Sequence, residues 1–287
     1  MPETTLQKIA DHVYWMTPGQ PDRPALAVVV GADYTVMLDA GASPAHARLF
    51  LDALTGAGVP LPRYVVLTHW HWDHVFGAAE IGLPVIAHRE TAQQLAVQAG
   101  YAWDNAALDA RVATGQEIAF CADDIKVELP EPRTVQIKLP EIVFDTTLTL
   151  DLGGGVTCHV QHVGGDHAAD SCVIHVPADQ FVFLGDCLYE AIYTPVRHFT
   201  TERLFPVLDS VLAFDATQFV EGHTDTVMLR SEIVAMAAKM RLAGQMVAQH
   251  GPDEAAIIAA VTRESGQPPD ADTAEFIRSF SAGYTLR

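Results

Sequence analysis

One stretch limits the choice of fold more than any other: Arg63-Tyr64-Val65-Val66-Leu67, followed by Thr68-His69-Trp70-His71-Trp72-Asp73-His74. The first part is an apolar run rich in β-branched residues and reads as a buried strand. The second places three imidazoles and a carboxylate within six consecutive positions. A buried strand that ends in such a loop delivers several side chains to one point at a sheet edge. Neutral imidazole and carboxylate are donors that borderline and hard divalent cations prefer, so the pattern points to a metal. One loop histidine would be ordinary turn chemistry; His-x-His-x-Asp-His is far more specific.

The surrounding chain alternates strand and helix signals. Ala25 to Val30 and Tyr34 to Leu38 are apolar runs joined at Gly31-Ala32-Asp33, a hairpin signature. The second run ends at Asp39, and Ser43-Pro44 then opens a helix through Leu54, with Ser43 as N-cap and Pro44 at the first helical position. Arg89 to Gln98 reads as a helix. Residues 100–140 are the least periodic part, with Asp123-Asp124, Pro130 and Pro132, and are expected to form an irregular insertion that walls or covers a site. Strand signals return at Ile142-Val143-Phe144, Leu148 to Leu152, Val156 to Val163, Val173 to Val176 and Phe181 to Leu184. Helices are expected at Thr201 to Phe214 and in the C-terminal part, about 231–287. The class is α/β, and with no linker or short-period repeat the expectation is one domain over 1–287.

Further ligands should follow later strands. Gly164-Gly165-Asp166-His167, Gly185-Asp186 and Gly222-His223 each put glycine and an ionisable side chain directly after an apolar run. Any one of these alone is common turn chemistry. Together with the first motif they resemble the metallo-β-lactamase superfamily, whose five landmarks occur in order: Asp39, His69-x-His71-x-Asp73-His74, His167, Asp186 and His223. The likeness runs from about Val13 to about Thr226.

That resemblance implies a four-layer αβ/βα sandwich with two metals at one edge of the two sheets. His69, His71 and His167 would bind the first ion; Asp73, His74 and His223 the second; Asp186 would bridge both. Asp39 would lie behind the ligands and fix the first motif. The implied ions are divalent, with zinc first and iron or manganese open, since nitrogen and oxygen donors serve all three. Water held between two such ions ionises near pH 7 rather than near 16. The expected activity is therefore hydroxide attack on the carbonyl of an ester, lactone, thioester or β-lactam, with Asp73 in the catalytic set. The alternative on the same ligands is a non-haem iron oxidoreductase of the persulfide dioxygenase type.

Cys187, after Gly185-Asp186, resembles the cysteine ligand of some zinc β-lactamases, yet those enzymes do not keep both His74 and the Gly-Asp pair. Asp186 is taken as the ligand and Cys187 as a packed thiol. Tyr189 stands where lactonases carry a tyrosine aimed at the substrate carbonyl, and a packing role for it stays equally open. Trp70 and Trp72 are expected to pack beneath the loop. Of the eight remaining histidines none receives a metal role, though His162 and His198 lie near the motifs.

With 17 basic against 36 acidic residues the formal charge is −19, which disfavours a nucleic-acid partner or an anionic membrane surface. Cys121, Cys158, Cys172 and Cys187 are too widely spaced for a disulfide framework. No signal peptide is legible and no apolar run nears the ~20 residues of a membrane span, so a cytoplasmic location is expected. The expected partner is a small-molecule substrate, with homo-oligomer formation open. Pocket walls are expected from 100–140, from Glu190 to Thr201 and from the C-terminal helices.

Overall fold

The computed structural model describes residues 5–286, the Glu264 side chain apart. Two sheets lie face to face. The first runs in chain order through β1 (Leu6–Lys8), β2 (Val13–Met16), β3 (Leu26–Val30), β4 (Thr35–Leu38), β5 (Pro62–Val66), β6 (Val85–His88) and β7 (Ile142–Phe144). The second contains β8 (Thr147–Asp151), β9 (Thr157–His162), β10 (Cys172–Val176), β11 (Phe181–Gly185), β12 (Gln218–Glu221) and β13 (Met228–Leu229), in reverse order across the sheet. Each begins or ends as an antiparallel meander; β4 to β7 and the pair β11–β12 are parallel.

Helices cover both outer faces. On the first sheet are α1 (Pro44–Gly56), α2 (Trp72–Val75), α3 (Ala78–Ile81), α4 (Arg89–Gln98), α5 (Asn105–Thr114) and α6 (Ala119–Glu128). On the second are α7 (Thr201–Ala213), α8 (Arg230–His250), α9 (Glu254–Ser265) and α10 (Ala271–Thr285). The central strands are apolar on both faces, and successive residues feed different cores. In β3, Leu26 and Val28 face the helices while Ala27 and Val29 face the other sheet. In β11, Val182 and Leu184 face helices while Phe181 and Phe183 fill the space between sheets. A period of two over two buried faces makes three apolar layers, and hence four layers of structure. This is the αβ/βα sandwich that the resemblance implied.

The start of α1 follows from its sequence: the Ser43 hydroxyl accepts a hydrogen bond from His46 N at 3.0 Å, and Pro44 occupies the first turn. Its buried face, His46, Ala47, Phe50 and Leu54, repeats at helical spacing. The expected irregularity of 100–140 needs correction. Residues 105–114 and 119–128 are helical, the first capped by Asp104, which accepts from Ala107 N, and closed by Gly115 in the left-handed region. Each helix is short and buries only two or three side chains, so no long apolar period shows in the sequence. The stretch from 129 to 141 is irregular.

Among the described residues no helix is long and apolar enough to cross a membrane. All four cysteines are buried free thiols.

Candidate metal centre

The functional residues sit beyond the carboxyl ends of strands that point the same way in both sheets. Asp39 follows β4, residues 68–74 follow β5, His167 follows β9, Asp186 follows β11 and His223 follows β12. Such ends are where open α/β sheets place ligands. Two backbone hydrogen bonds tie the sheets together there: Cys172 N donates to Thr68 O at 2.8 Å, and Ala25 N donates to Gly222 O at 2.6 Å.

Asp39 organises the first loop. It adopts a left-handed backbone, φ 59°, a conformation that Asp tolerates better than most residues. Its fully buried carboxylate accepts from Thr68 N at 2.7 Å, from the Thr68 hydroxyl at 2.8 Å and from His74 Nδ1 at 2.8 Å. Because the Thr68 hydroxyl donates to Asp39, its oxygen is left to accept from His69 Nδ1–H at 3.0 Å. His167 Nδ1–H donates to Glu190 O at 3.1 Å. His223 Nδ1 faces Asp22 Oδ1 at 3.4 Å. His69, His74 and His167 thus spend Nδ1–H on a partner behind them and turn Nε2 inward, the tautomer that metal ligation needs.

Inside, the donors form two groups whose atoms lie within 4.8 Å of one another: His69, His71 and His167, and Asp73, His74, Asp186 and His223. Asp186 Oδ2 belongs to the second group and also stands close to the first. It lies 3.9 Å from His69 Nε2 and 3.3 Å from His167 Nε2 in one group, and 3.4 Å from His74 Nε2 and 3.3 Å from His223 Nε2 in the other. Asp73 Oδ2 lies 3.1 Å from His74 Nε2 and 3.2 Å from His223 Nε2. The Nε2 atoms of His69, His71, His74 and His167 are buried without a hydrogen bond, as is Asp186 Oδ1. Buried polar atoms left so in number are costly unless something binds them, and a pair of cations fits this donor set.

The electrostatics agree. Burial, reinforced by neighbouring imidazoles, holds His69 and His71 well below the ordinary histidine range, so both are neutral bases. Burial opposes charge on Asp73 and Asp186, but His74 and His223 outweigh it and keep both carboxylates ionised. Burial likewise opposes charge on His74 and His223, yet Asp73 and Asp186 raise both well above the usual value.

A family model described as the metallo-beta-lactamase superfamily matches residues 21–223, well over half the sequence. The chain belongs to the metallo-beta-lactamase superfamily. Solved structures share the fold at low identity. A metallo-beta-lactamase from Pontibacter korlensis is 18% identical with a TM-score of 0.56, covering 82% of this chain and 98% of its own. The metallo-beta-lactamase of Cronobacter sakazakii with a HARLDQ motif is 16% identical, TM-score 0.56, covering 98% and 93%. The inverting sec-alkylsulfatase Pisa1 from Pseudomonas sp. is 15% identical with a TM-score of 0.67; 98% of this chain matches 50% of that enzyme. No curated protein matches by sequence.

A cavity of about 480 Å³ opens over these donor groups, with His71, Asp73, His167, Asp186 and His223 in its lining. Its walls come from α6 through Phe120, from the loop 190–199 through Ile192 and Phe199, and from α8 and α10 through Met236, Met240 and Phe276. Tyr189 also lines it. The tyrosine oxygen accepts from His223 N at 3.3 Å, and burial keeps the phenol protonated, so its O–H is free to donate.

Cys187 points away, into the apolar layer behind the second sheet. Trp72 is core, packed on Phe76, whereas Trp70 is half-buried against Tyr193, which also packs on His71. His162 stacks on His88 at 3.9 Å near Glu90, but His88 already bonds Asp145 O and Glu90 N, and His162 Nε2 bonds Ala169 O. His198 Nδ1 bonds Val196 O. Sequence reasoning gave no role to Thr68, Asp22 or Glu221. Thr68 was readable as the hydroxyl next to the motif. Asp22 and Glu221 carry no such signal, since only the packing of the loop 17–25 against Gly222 brings Asp22 in.

Proposed function

We propose that this protein is a hydrolase working with two divalent metal ions, zinc first among them, on an acyl substrate: an ester, lactone, thioester or β-lactam. The observation that carries this reading is that imidazoles from both donor groups approach one oxygen, Asp186 Oδ2. His69, His71 and His167 would hold one ion and Asp73, His74 and His223 the other, with Asp186 shared. Once bound, two such ions supply Lewis acidity for activating water and polarising a carbonyl.

The chain's own groups supply the rest. Asp39 and Thr68 fix His74 and His69 in rotamer and tautomer, and the Glu190 carbonyl does the same for His167. Tyr189 directs its O–H into the cavity, where it donates to the carbonyl oxygen as negative charge builds there. Asp73 reaches the same space and holds a proton-bearing nucleophile in line. Apolar walls exclude bulk water and strengthen these interactions.

A parallel screen of the purified, metal-quantified protein against lactones, thioesters, simple esters and β-lactams tests this. A sec-alkyl sulfate belongs in the panel because of the likeness to Pisa1. We expect hydrolysis of at least one acyl class, abolished by chelation and restored by zinc. Stoichiometric iron with oxygen consumption and no hydrolysis would replace the hydrolase reading with the oxidative one.

A further inference from the structure

Glu221 is the carboxylate in the cavity wall that the metal arrangement leaves over. It ends β12, pairs in register with Gly185, and stands two residues before His223, which sets it against the Asp186 side of the centre. Only 5% of the residue is exposed, and that surface faces the cavity. The other acids there are accounted for: Glu190 accepts from the Ser279 hydroxyl, Asp22 faces His223, and Glu275 is open to solvent. Among the described residues no donor reaches the Glu221 carboxylate. A carboxylate held in a ligand-cavity wall with no protein donor is open to a donor from the ligand.

The rest of the wall indicates which donor. Arg197 is the only Lys or Arg in the lining; it is exposed and spent over the Phe120 ring at 5.2 Å. Asp22, Glu190, Glu221 and Glu275 outnumber it, in a chain of net charge −19. Away from the ions, that stretch of wall favours a cationic group over an anionic one. Leu188, Phe199, Met240 and Phe276 supply apolar surface for the rest of the molecule.

We propose that Glu221 receives a protonated amine placed beside the scissile carbonyl, so that the substrate is a cationic, apolar acyl compound of the aminoacyl-ester type and not an anionic one. This deepens the hydrolase reading and rests on it for the position of the scissile group.

The test is calorimetric binding to the zinc-loaded full chain of three hydroxamates with one carbon skeleton. These are leucine hydroxamate, which carries the amine; isocaproic hydroxamate, which lacks it; and isobutylmalonic monohydroxamate, which has a carboxylate in its place. A charge-assisted hydrogen bond makes leucine hydroxamate the tightest, by roughly tenfold over the isocaproic compound, with the malonate weakest. In Glu221→Gln the tenfold ratio should fall to about threefold or less, Glu221→Asp should keep part of it, and Arg197→Gln should not change the order. Equal or tighter binding of the amine-free or anionic ligand would overturn the proposal, as would a ratio that survives in Glu221→Gln. If the amine preference holds while no acyl compound is hydrolysed, the recognition site stands and the hydrolase reading falls. Hydrolysis indifferent to the amine would mean the reverse.

Discussion

At the scale of single residues, Asp39 shows how much of the centre depends on one side chain that is not itself a metal donor. Three donors converge on its carboxylate: Thr68 N, the Thr68 hydroxyl and His74 Nδ1. An amide cannot accept all three, and its NH2 would face a donor. Asp39→Asn should therefore lower metal affinity by roughly 10- to 100-fold, as removal of outer partners does elsewhere; chelator competition measures it, and unchanged affinity would contradict the assignment. His46 gives a pH prediction. It is fully buried and accepts from Ala42 N, and burial, helped by Arg23, pushes its pKa down to about 3. A depressed folded value means that the stability from keeping it neutral is complete above its ordinary 6.5. That stability is lost as pH falls from there toward 3, at about 1.4 kcal/mol per pH unit. His46→Gln should flatten the acid limb of a Tm-against-pH curve by about one proton; an unaltered slope would show that His46 does not titrate in this way.

At the scale of elements, what the sequence made legible follows physical signals of different strength. The capping residues Ser43 and Pro44, the Gly-Ala-Asp hairpin and the apolar strands β3, β4, β5 and β11 carry local signals strong enough to read directly. The strands β1 and β13 are two or three residues long and bury no side chain fully, so nothing in their composition separates them from loop. The helices α5 and α6 bury too few residues to show a period. Close packing is equally silent in the sequence. A methyl group at Gly283 of α10 would lie 2.1 Å from Phe199 O, on the loop that walls the cavity, whereas one at Gly56, in the last turn of α1, meets nothing. Gly283→Ala should therefore destabilise by about 1–3 kcal/mol. Gly56→Ala should stabilise by about 0.4–1 kcal/mol through the unfolded chain. Calorimetry on the pair would contradict this packing if the two changed Tm alike.

At the scale of the whole molecule, the ligand groups are held by both sheets: Asp39 and residues 68–74 from the first, His167, Asp186 and His223 from the second. The order of these landmarks was readable because each sits at a strand end beside characteristic residues. Their convergence, and the approach of Asp22 and Glu221, depends on how the sheets stack, which no local pattern encodes. Metal binding should clamp the sheets together, so chelation should lower Tm and re-addition of zinc restore it. The measurement closest to the central claim is metal stoichiometry in the wild type and in Asp186→Asn, by elemental analysis after equilibration with zinc. The shared carboxylate predicts two ions per chain in the wild type, and loss of at least one, together with hydrolytic activity, in the variant. A wild type that holds one ion or none, or an Asp186→Asn protein that keeps both ions and its full rate, would contradict it.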